Sequence, residues 1–180
     1  ATKKLRPNED TNVGMDGSGT TNNMVQTTLL DELDALRRRM EHRDELRERL
    51  IKRCRDGQKA AKQAIYALHR GDPIKSYRLI QDCESCIVHD LLPIVQEEPP
   101  LRSGSFANVL EEYVEAKLFY VWLIGKNDPD LQESSDSART NNKTIIETAN
   151  GTLLVPSDFE SIISLQPEEY LGGLCDLTGE

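Results

Sequence analysis

One apolar stripe in the first half of the chain limits what the chain can fold into. Its members recur at three- and four-residue steps, the spacing that puts side chains on one face of an α-helix. Arg43 and Arg47 interrupt the stripe, whose apolar members are Leu29, Leu33, Leu36, Met40, Leu50, Cys54, Ala61, Ala64 and Leu68. A helix of roughly 40 residues would be about 60 Å long, too long for an isolated helix in a small globule. The pattern therefore predicts a long amphipathic helix that packs on partners.

The rest of the chain also predicts helices. Asp72 and the proline after it supply an N-cap and a first-turn proline for a second helix, which is predicted to end at Pro93. Further helices are expected over residues 105–125, near residues 158–164 and from residue 167 onward, with a polar connection over residues 126–151. No stretch of strand length alternates with period two. The predicted fold class is all-α, a bundle of long helices.

Composition sets the domain organisation. Residues 1–28 are rich in Gly, Asn, Thr and Ser and show no apolar period, so we expect a disordered tail there. Residues 29–180 are then one helical domain, a size that suits a single core. The last residues read as a helix that reaches Glu180 without a C-cap. This predicts a C-terminally truncated fragment of a longer bundle.

The expected compartment is the cytosol or the nucleus. The longest uncharged apolar run, residues 118–125, is far shorter than the roughly 20 residues that cross a bilayer, and no apolar signal segment begins the sequence. Four cysteines without a secretory signal are better interpreted as reduced thiols than as a disulfide framework. No membrane association is therefore predicted.

The net charge of -9 conceals a strongly uneven distribution. Residues 35–80 carry 14 basic and 6 acidic groups, whereas residues 81–180 carry 5 basic and 19 acidic groups. Because salt screens charges beyond about 10 Å at 0.1 M, the basic segment can attract a polyanion locally. Candidate nucleic-acid contacts on the long helix are Arg53, Arg55, Lys59 and Lys62. The alternative is a solvated face on which Glu41, Glu45 and Glu48 pair with these and other basic residues.

Acidic residues occupy unusual positions in the third and last helices. Glu112 and Glu115 are three residues apart and share a row with Phe119 and Trp122, although burying an ionised carboxylate without a partner is costly. In the last helix a second row is available to meet the first, and it consists of Glu169, Gly173, Asp176 and Glu180. The glycine on that row leaves room for a close neighbour or a ligand.

Carboxylates that converge from two helices without histidine form a site of hard oxygen ligands, which suits Mg²⁺ or Mn²⁺ better than zinc. Metal-assisted phosphodiester hydrolysis is the matching reaction. The simpler alternative is that Glu112 and Glu115 are solvated helix acids that pair with neighbours such as Lys117. A di-iron carboxylate bundle is a more remote alternative, because the Glu-x-x-His pairs of that class are absent from the sequence.

The segment CESCIVH places Cys83, Cys86 and His89 at three-residue steps and invites a zinc interpretation. The signal is weak because no second CxxC follows it. A core or half-exposed cysteine pair is the favoured explanation.

Three segments together resemble the translin family, and within it the branch of translin-associated factor X more closely than translin itself. They are EEYVEA at residues 111–116, PEEYLGGLCDLTGE at residues 167–180 and RDGQKAAKQAIYALHR at residues 55–70. The resemblance implies an all-α fold, octameric shells of long curved helices, and binding of single-stranded RNA and DNA. For the factor X branch it also implies a Mg²⁺-dependent endoribonuclease, with Mn²⁺ as a substitute.

Position by position, the resemblance puts the catalytic acids on Glu112, Glu115 and Asp176, with Glu180 beside them in the metal site. It puts an RNA-contacting lysine on Lys62. The implied function is cleavage of single-stranded RNA in small-RNA or tRNA-fragment processing and RNA silencing, within a homo- or hetero-octamer that contains a translin-like partner. The alternative is a non-catalytic subunit that binds single-stranded RNA or DNA through the basic helix.

Overall fold

The computed structural model describes residues 19–125 and 151–179, with side chains from residue 28 onward. All regular structure in these ranges is helical, which confirms the predicted all-α fold class. The chain divides into two compact units, Ala1–His42 and Arg43–Glu180.

Five α-helices and three shorter helical turns follow one another along the described residues. Asp72 caps the second helix as predicted, because its Oδ1 accepts a hydrogen bond of 3.0 Å from the backbone N–H of Lys75. The elements are α1 (Gly19–His69), α2 (Pro73–Ser85), a π-helical turn (Cys86–Leu91), α3 (Leu92–Glu97), a 3-10 turn (Pro99–Arg102), α4 (Ser105–Ile124), a second 3-10 turn (Pro156–Phe159) and α5 (Pro167–Leu177).

Four predicted boundaries differ from the structure. The last helix, predicted to reach Glu180 without a C-cap, ends at Leu177 with Thr178 as its C-cap, and the short helix expected near residues 158–164 is the 3-10 turn at Pro156–Phe159. The first helix begins at Gly19 rather than after residue 28, because extending an existing helix fixes one residue per hydrogen bond and needs no apolar face. Residues 19–28 of the predicted tail thus belong to α1, and residues 1–18 lie outside the described residues. Pro93 does not end the second helix, since it falls in the first turn of α3, where a missing N–H leaves no bond unmade. Most of the predicted connection, residues 126–150, also lies outside the described residues.

The apolar stripe has a different environment in each unit. In the first unit Leu29, Leu33, Leu36 and Met40 are exposed. In the second unit the same stripe is buried in the core, from Leu50 through to Leu68. Burial of these side chains, and not the weak amphipathic pattern of an isolated helix, stabilises the second half of α1.

Helix α4 lies at the centre of the second unit. Most of its side chains are buried, including those of Phe106, Tyr113 and Leu118. A helix that is apolar nearly all round belongs inside a core, so its few carboxylates are brought close to other elements. Gly57 of α1 packs against it so closely that an added Cβ would lie 3.0 Å from Val109 Cγ1.

Helix α5 packs against α4 through a glycine contact. A Cβ added at Gly173 would lie 2.6 Å from the backbone oxygen of Glu111 and 2.8 Å from Val114 Cβ. The room that the sequence predicted at this glycine is therefore filled by the backbone of α4. This close approach fixes where the C-terminal end of α5 lies relative to the carboxylates of α4.

A buried ion pair holds the other end of α5. Arg102 donates from Nε to Glu169 Oε1 at 2.9 Å and from Nη2 to Glu169 Oε2 at 2.7 Å. Glu169 is only 1% exposed and also accepts a hydrogen bond of 2.8 Å from the backbone N–H of Gln166. The predicted acidic row of α5 therefore has two roles. Glu169 pairs with Arg102 and stabilises the fold, whereas Asp176 at the other end of the helix lines the pocket.

The four cysteines are all free thiols. Burial raises the pKa of Cys54 to about 12, with the neighbouring Cys86 adding to the effect. Burial likewise raises the pKa of Cys83 and of Cys86. His89 is exposed, and no metal-binding cluster of three or more His, Cys, Asp or Glu side chains occurs in the described residues. The CESCIVH segment therefore contributes cysteines to the core, as the favoured interpretation predicted.

Thiol labelling of the native protein tests this arrangement. At pH 8 we expect 5,5′-dithiobis(2-nitrobenzoic acid) to react rapidly with the exposed Cys175 and much more slowly with Cys86. Cys54 and Cys83 should stay unlabelled until guanidinium chloride unfolds the chain, whereupon all four thiols react. Rapid native labelling of either buried cysteine would contradict the packing described above.

Candidate functional site

Residues from three helices line a pocket of about 380 Å³ in the second unit. Its lining contains the three predicted catalytic acids and the predicted RNA-contacting lysine, together with one aromatic and one aliphatic residue. The lining residues are Lys62, Ile65, Tyr66, Glu112, Glu115, Asp176 and Gly179. Glu180, the fourth predicted metal ligand, lies outside the described residues.

Helical spacing determines which side chains each helix presents to the pocket. Glu112 and Glu115 are one turn apart on α4, so both carboxylates reach the same side of that helix. Glu115 is only 6% exposed, whereas Asp176 near the end of α5 is exposed. Lys62 and Tyr66 are four residues apart on α1 and cover the pocket from its third side. The pocket is therefore acidic on two sides and carries one cation on the third.

An ion pair crosses the pocket. Lys62 Nζ lies 2.6 Å from Glu112 Oε1, with the lysine side chain 56% exposed and the glutamate side chain 20% exposed. The hydrogen bond to Glu112 raises the pKa of Lys62, and the nearby charge of Glu115 acts in the same direction. The lysine is thus held as an ammonium at the mouth of the acidic pocket.

The simpler interpretation named Lys117 as a neighbour that would pair with these acids, and the structure gives Lys117 other partners. Its Nζ lies 2.6 Å from Glu84 Oε1 and 2.9 Å from the hydroxyl of Tyr113. These contacts join α2 to α4 on a different face from the pocket. Glu112 therefore pairs with a residue that is distant in sequence, on α1.

A fourth carboxylate belongs to this region and was missed from the sequence. Burial raises the pKa of Glu111, and the charges of Asp176, Glu169 and Glu112 raise it further. A Cβ added at Gly172 would lie 2.8 Å from Glu111 Cγ, so the side chain rests on α5. The adjacent glycines at 172 and 173 were the available signal, since two glycines on one helix indicate that something packs closely there.

The donor set fits a hard divalent cation in its chemistry. Glu112, Glu115 and Asp176 offer carboxylate oxygens to one pocket, and no thiolate or imidazole lines it. The described residues do not bring three such groups within the spacing of a ready-made metal cluster. Lys62 also holds one of the carboxylates. Coordination would thus require Glu112 to exchange the ammonium for the metal.

The other predicted nucleic-acid contacts lie elsewhere on α1. Arg53 is occupied by acids of its own surroundings, with Nη1 at 3.5 Å from Asp56 Oδ2 and Nε at 3.9 Å from Asp90 Oδ2. Arg55 and Lys59 are exposed on the helix and do not line the pocket. Of the four predicted basic contacts, the structure brings only Lys62 to the carboxylates.

Across residues 19–125 and 151–179, no helix combines the length and the apolar character that a membrane span requires.

Comparison with curated proteins finds no match, and neither does comparison with solved structures. A sequence model of the Translin family matches residues 45–180, which include every residue that lines the pocket. The chain therefore belongs to the Translin family.

Proposed function

We propose that this chain is a Mg²⁺-dependent endoribonuclease subunit of the factor X type that cleaves single-stranded RNA. The observation that carries the proposal is the pocket itself, in which Glu112, Glu115 and Asp176 come together with Lys62. Membership of the Translin family supports a role on nucleic acid. By the same resemblance, the setting is small-RNA or tRNA-fragment processing and RNA silencing in cytoplasm and nucleus. The assembly is a homo- or hetero-octamer with a translin-like partner.

In this proposal Glu112, Glu115 and Asp176 hold Mg²⁺, or Mn²⁺ in its place, and Glu180 assists them. The bound ion supplies Lewis-acid stabilisation of the phosphoryl group and a water of lowered pKa. Glu115 is the anchor, because its burial restricts the carboxylate to few orientations. Glu112 orients the reacting groups only after it has released Lys62.

Lys62, which pairs with Glu112 in the free protein, then binds the RNA. Its ammonium remains at the mouth of the pocket, where a phosphate of the RNA replaces Glu112 as its partner. After the exchange neither charge is left unpaired, because the one pair of the free protein gives way to two, Glu112 with the cation and Lys62 with the phosphate. The ion pair of the free protein is thus a resting arrangement, from which Lys62 would turn to a phosphate and Glu112 would become available to a cation.

Cleavage of an end-labelled single-stranded RNA by the protein, with and without its translin-like partner, tests the proposal. We expect cleavage in Mg²⁺, none in EDTA, and a loss of at least a hundredfold on Asp176→Asn, which keeps the size of the side chain but removes its charge. Arg78→Gln, an exposed basic residue outside the pocket, is the control and should cleave normally. Equal cleavage by wild type and Asp176→Asn would contradict the assignment.

The second candidate is a non-catalytic subunit that binds single-stranded RNA or DNA. The observation that favours it is that Lys62 neutralises Glu112 and that the described carboxylates form no ready-made metal cluster. It predicts tight binding that EDTA leaves unchanged. The logarithm of the binding constant should fall by about 0.7 per phosphate contact for each decade of salt. Binding without cleavage in the assay above would support this candidate.

A further inference from the structure

The aromatic residue of the pocket has no structural role in the core. Tyr66 lies on α1 with 64% of its surface exposed, while its sequence neighbours Ile65 and Ala67 are buried. The helix therefore points the ring away from the core and over the acidic pocket, of which it forms one wall. Single exposed apolar residues are common on proteins, so exposure alone means little. The position beside Lys62, Glu112 and Glu115 is what distinguishes this ring.

Tyr66 and Lys62 form a pair with complementary chemistry. Residues four apart on a helix have their Cβ atoms about 5–6 Å apart and project from the same face. An ammonium contacts a phosphate, and an exposed phenol ring offers a flat apolar surface to a nucleobase. One helix face thus presents a contact for the backbone and a contact for the base at the edge of the same pocket.

We infer that Tyr66 is a positioning residue that stacks on an unpaired nucleobase next to the scissile phosphate. This inference rests on the proposed function, since it names how that pocket holds its nucleic acid. Stacking on an aromatic ring tolerates every base but requires a free face. A base inside a duplex has neighbours on both faces, so Tyr66 selects single strands over duplex without selecting a sequence.

Photochemical crosslinking locates the contact directly. An oligouridine that carries one 5-iodouridine is irradiated with the protein in EDTA, so that binding is observed without cleavage. We expect the crosslinked tryptic peptide to be QAIYALHR, residues 63–70, with the modification on Tyr66. Unlabelled single strand should compete with the crosslink, and a duplex of the same length should compete poorly. A crosslink confined to other peptides would overturn the inference.

Binding measurements separate stacking from charge. By the usual range for loss of one base–aromatic stack, Tyr66→Ala should raise the Kd for single-stranded RNA by roughly five- to a hundredfold. The salt dependence should stay the same, because no phosphate contact is lost. Tyr66→Phe should rescue binding, since the ring is retained. Trp122→Ala removes an exposed aromatic that does not line the pocket and should leave the Kd unchanged.

Lys62→Met distinguishes the two possible failures. If it weakens RNA binding and flattens the salt dependence while Tyr66→Ala binds as wild type does, the pocket binds RNA and the stacking inference is wrong. If the wild type binds no RNA, or if neither variant changes the Kd, the pocket is not the binding site and both proposals are overturned. Weakening by Tyr66→Ala with rescue by Tyr66→Phe supports both.

Discussion

Glu112→Gln is expected to reduce RNA cleavage by on the order of a hundredfold or more and to weaken Mn²⁺ binding at least tenfold. Glutamine keeps the shape of the side chain but offers only a neutral oxygen to a cation. The loss should come from the site and not from the fold. The Lys62–Glu112 pair is half-exposed, and such pairs contribute under about 1 kcal/mol to stability. Mn²⁺ titration followed by electron paramagnetic resonance, together with single-turnover cleavage, measures both effects.

Lys62→Met is the informative companion to this variant. Because the ammonium occupies Glu112 in the free protein, its removal should strengthen Mn²⁺ binding while weakening RNA binding. A variant with opposite effects on the two ligands could not be explained by partial unfolding. If Glu112→Gln bound Mn²⁺ as the wild type does, the carboxylate would not be a ligand and the binding-subunit alternative would gain.

Arg102→Met is expected to lower the free energy of unfolding by about 3–5 kcal/mol, the cost of leaving a buried charge without its partner. Glu169 is 1% exposed and receives two hydrogen bonds from the guanidinium of Arg102. After the substitution only the backbone N–H of Gln166 is left to it among the described hydrogen bonds. The melting temperature should fall by roughly 6 to 20 °C, measured by circular dichroism at 222 nm.

Two further variants show whether the loss comes from the buried pair. Arg37→Met breaks two exposed pairs, with Asp34 at 3.2 Å and with Glu41 at 3.8 Å, and should change stability by less than about 1 kcal/mol. The double variant Arg102→Met with Glu169→Met replaces the pair by apolar groups and should recover much of the lost stability. A loss below about 1 kcal/mol for Arg102→Met would show that the pair is not important for docking α5.

The helical fold was predictable because the apolar residues follow the helical period over long stretches. The stripe from Leu50 to Leu68 is helical as predicted, although it is buried in the core of the same chain, and Asp72 caps α2 as predicted. The predicted start of α1, after residue 28, was wrong, because the polar residues from Gly19 onward extend the helix without any apolar periodicity in the sequence. The effect of Pro93 was also misjudged, because a π-helical turn before it restarts the hydrogen-bond pattern.

The candidate site was predictable only in part. Helical spacing placed Glu112 beside Glu115 and put Asp176 on a second acidic row, and the charge pattern named Lys62. The family resemblance added their roles, and all four residues line one pocket. Periodicity gives the face of each helix but not its neighbour across the core. Three features therefore became visible only in the tertiary structure. Lys62 pairs with Glu112, Glu169 pairs with Arg102, and Glu111 lies close to the acids of α5.

The glycine contact at position 173 also couples the pocket to folding. Asp176 follows Gly173 by one helical turn, so this wall of the pocket exists only while α5 is seated on α4. Any ligand that bridges Asp176 and Glu112 must then stabilise the seated state by RT ln(1 + [L]/Kd). Amide hydrogens of α5 should consequently exchange more slowly when the site is filled, which makes this helix an internal reporter of occupancy.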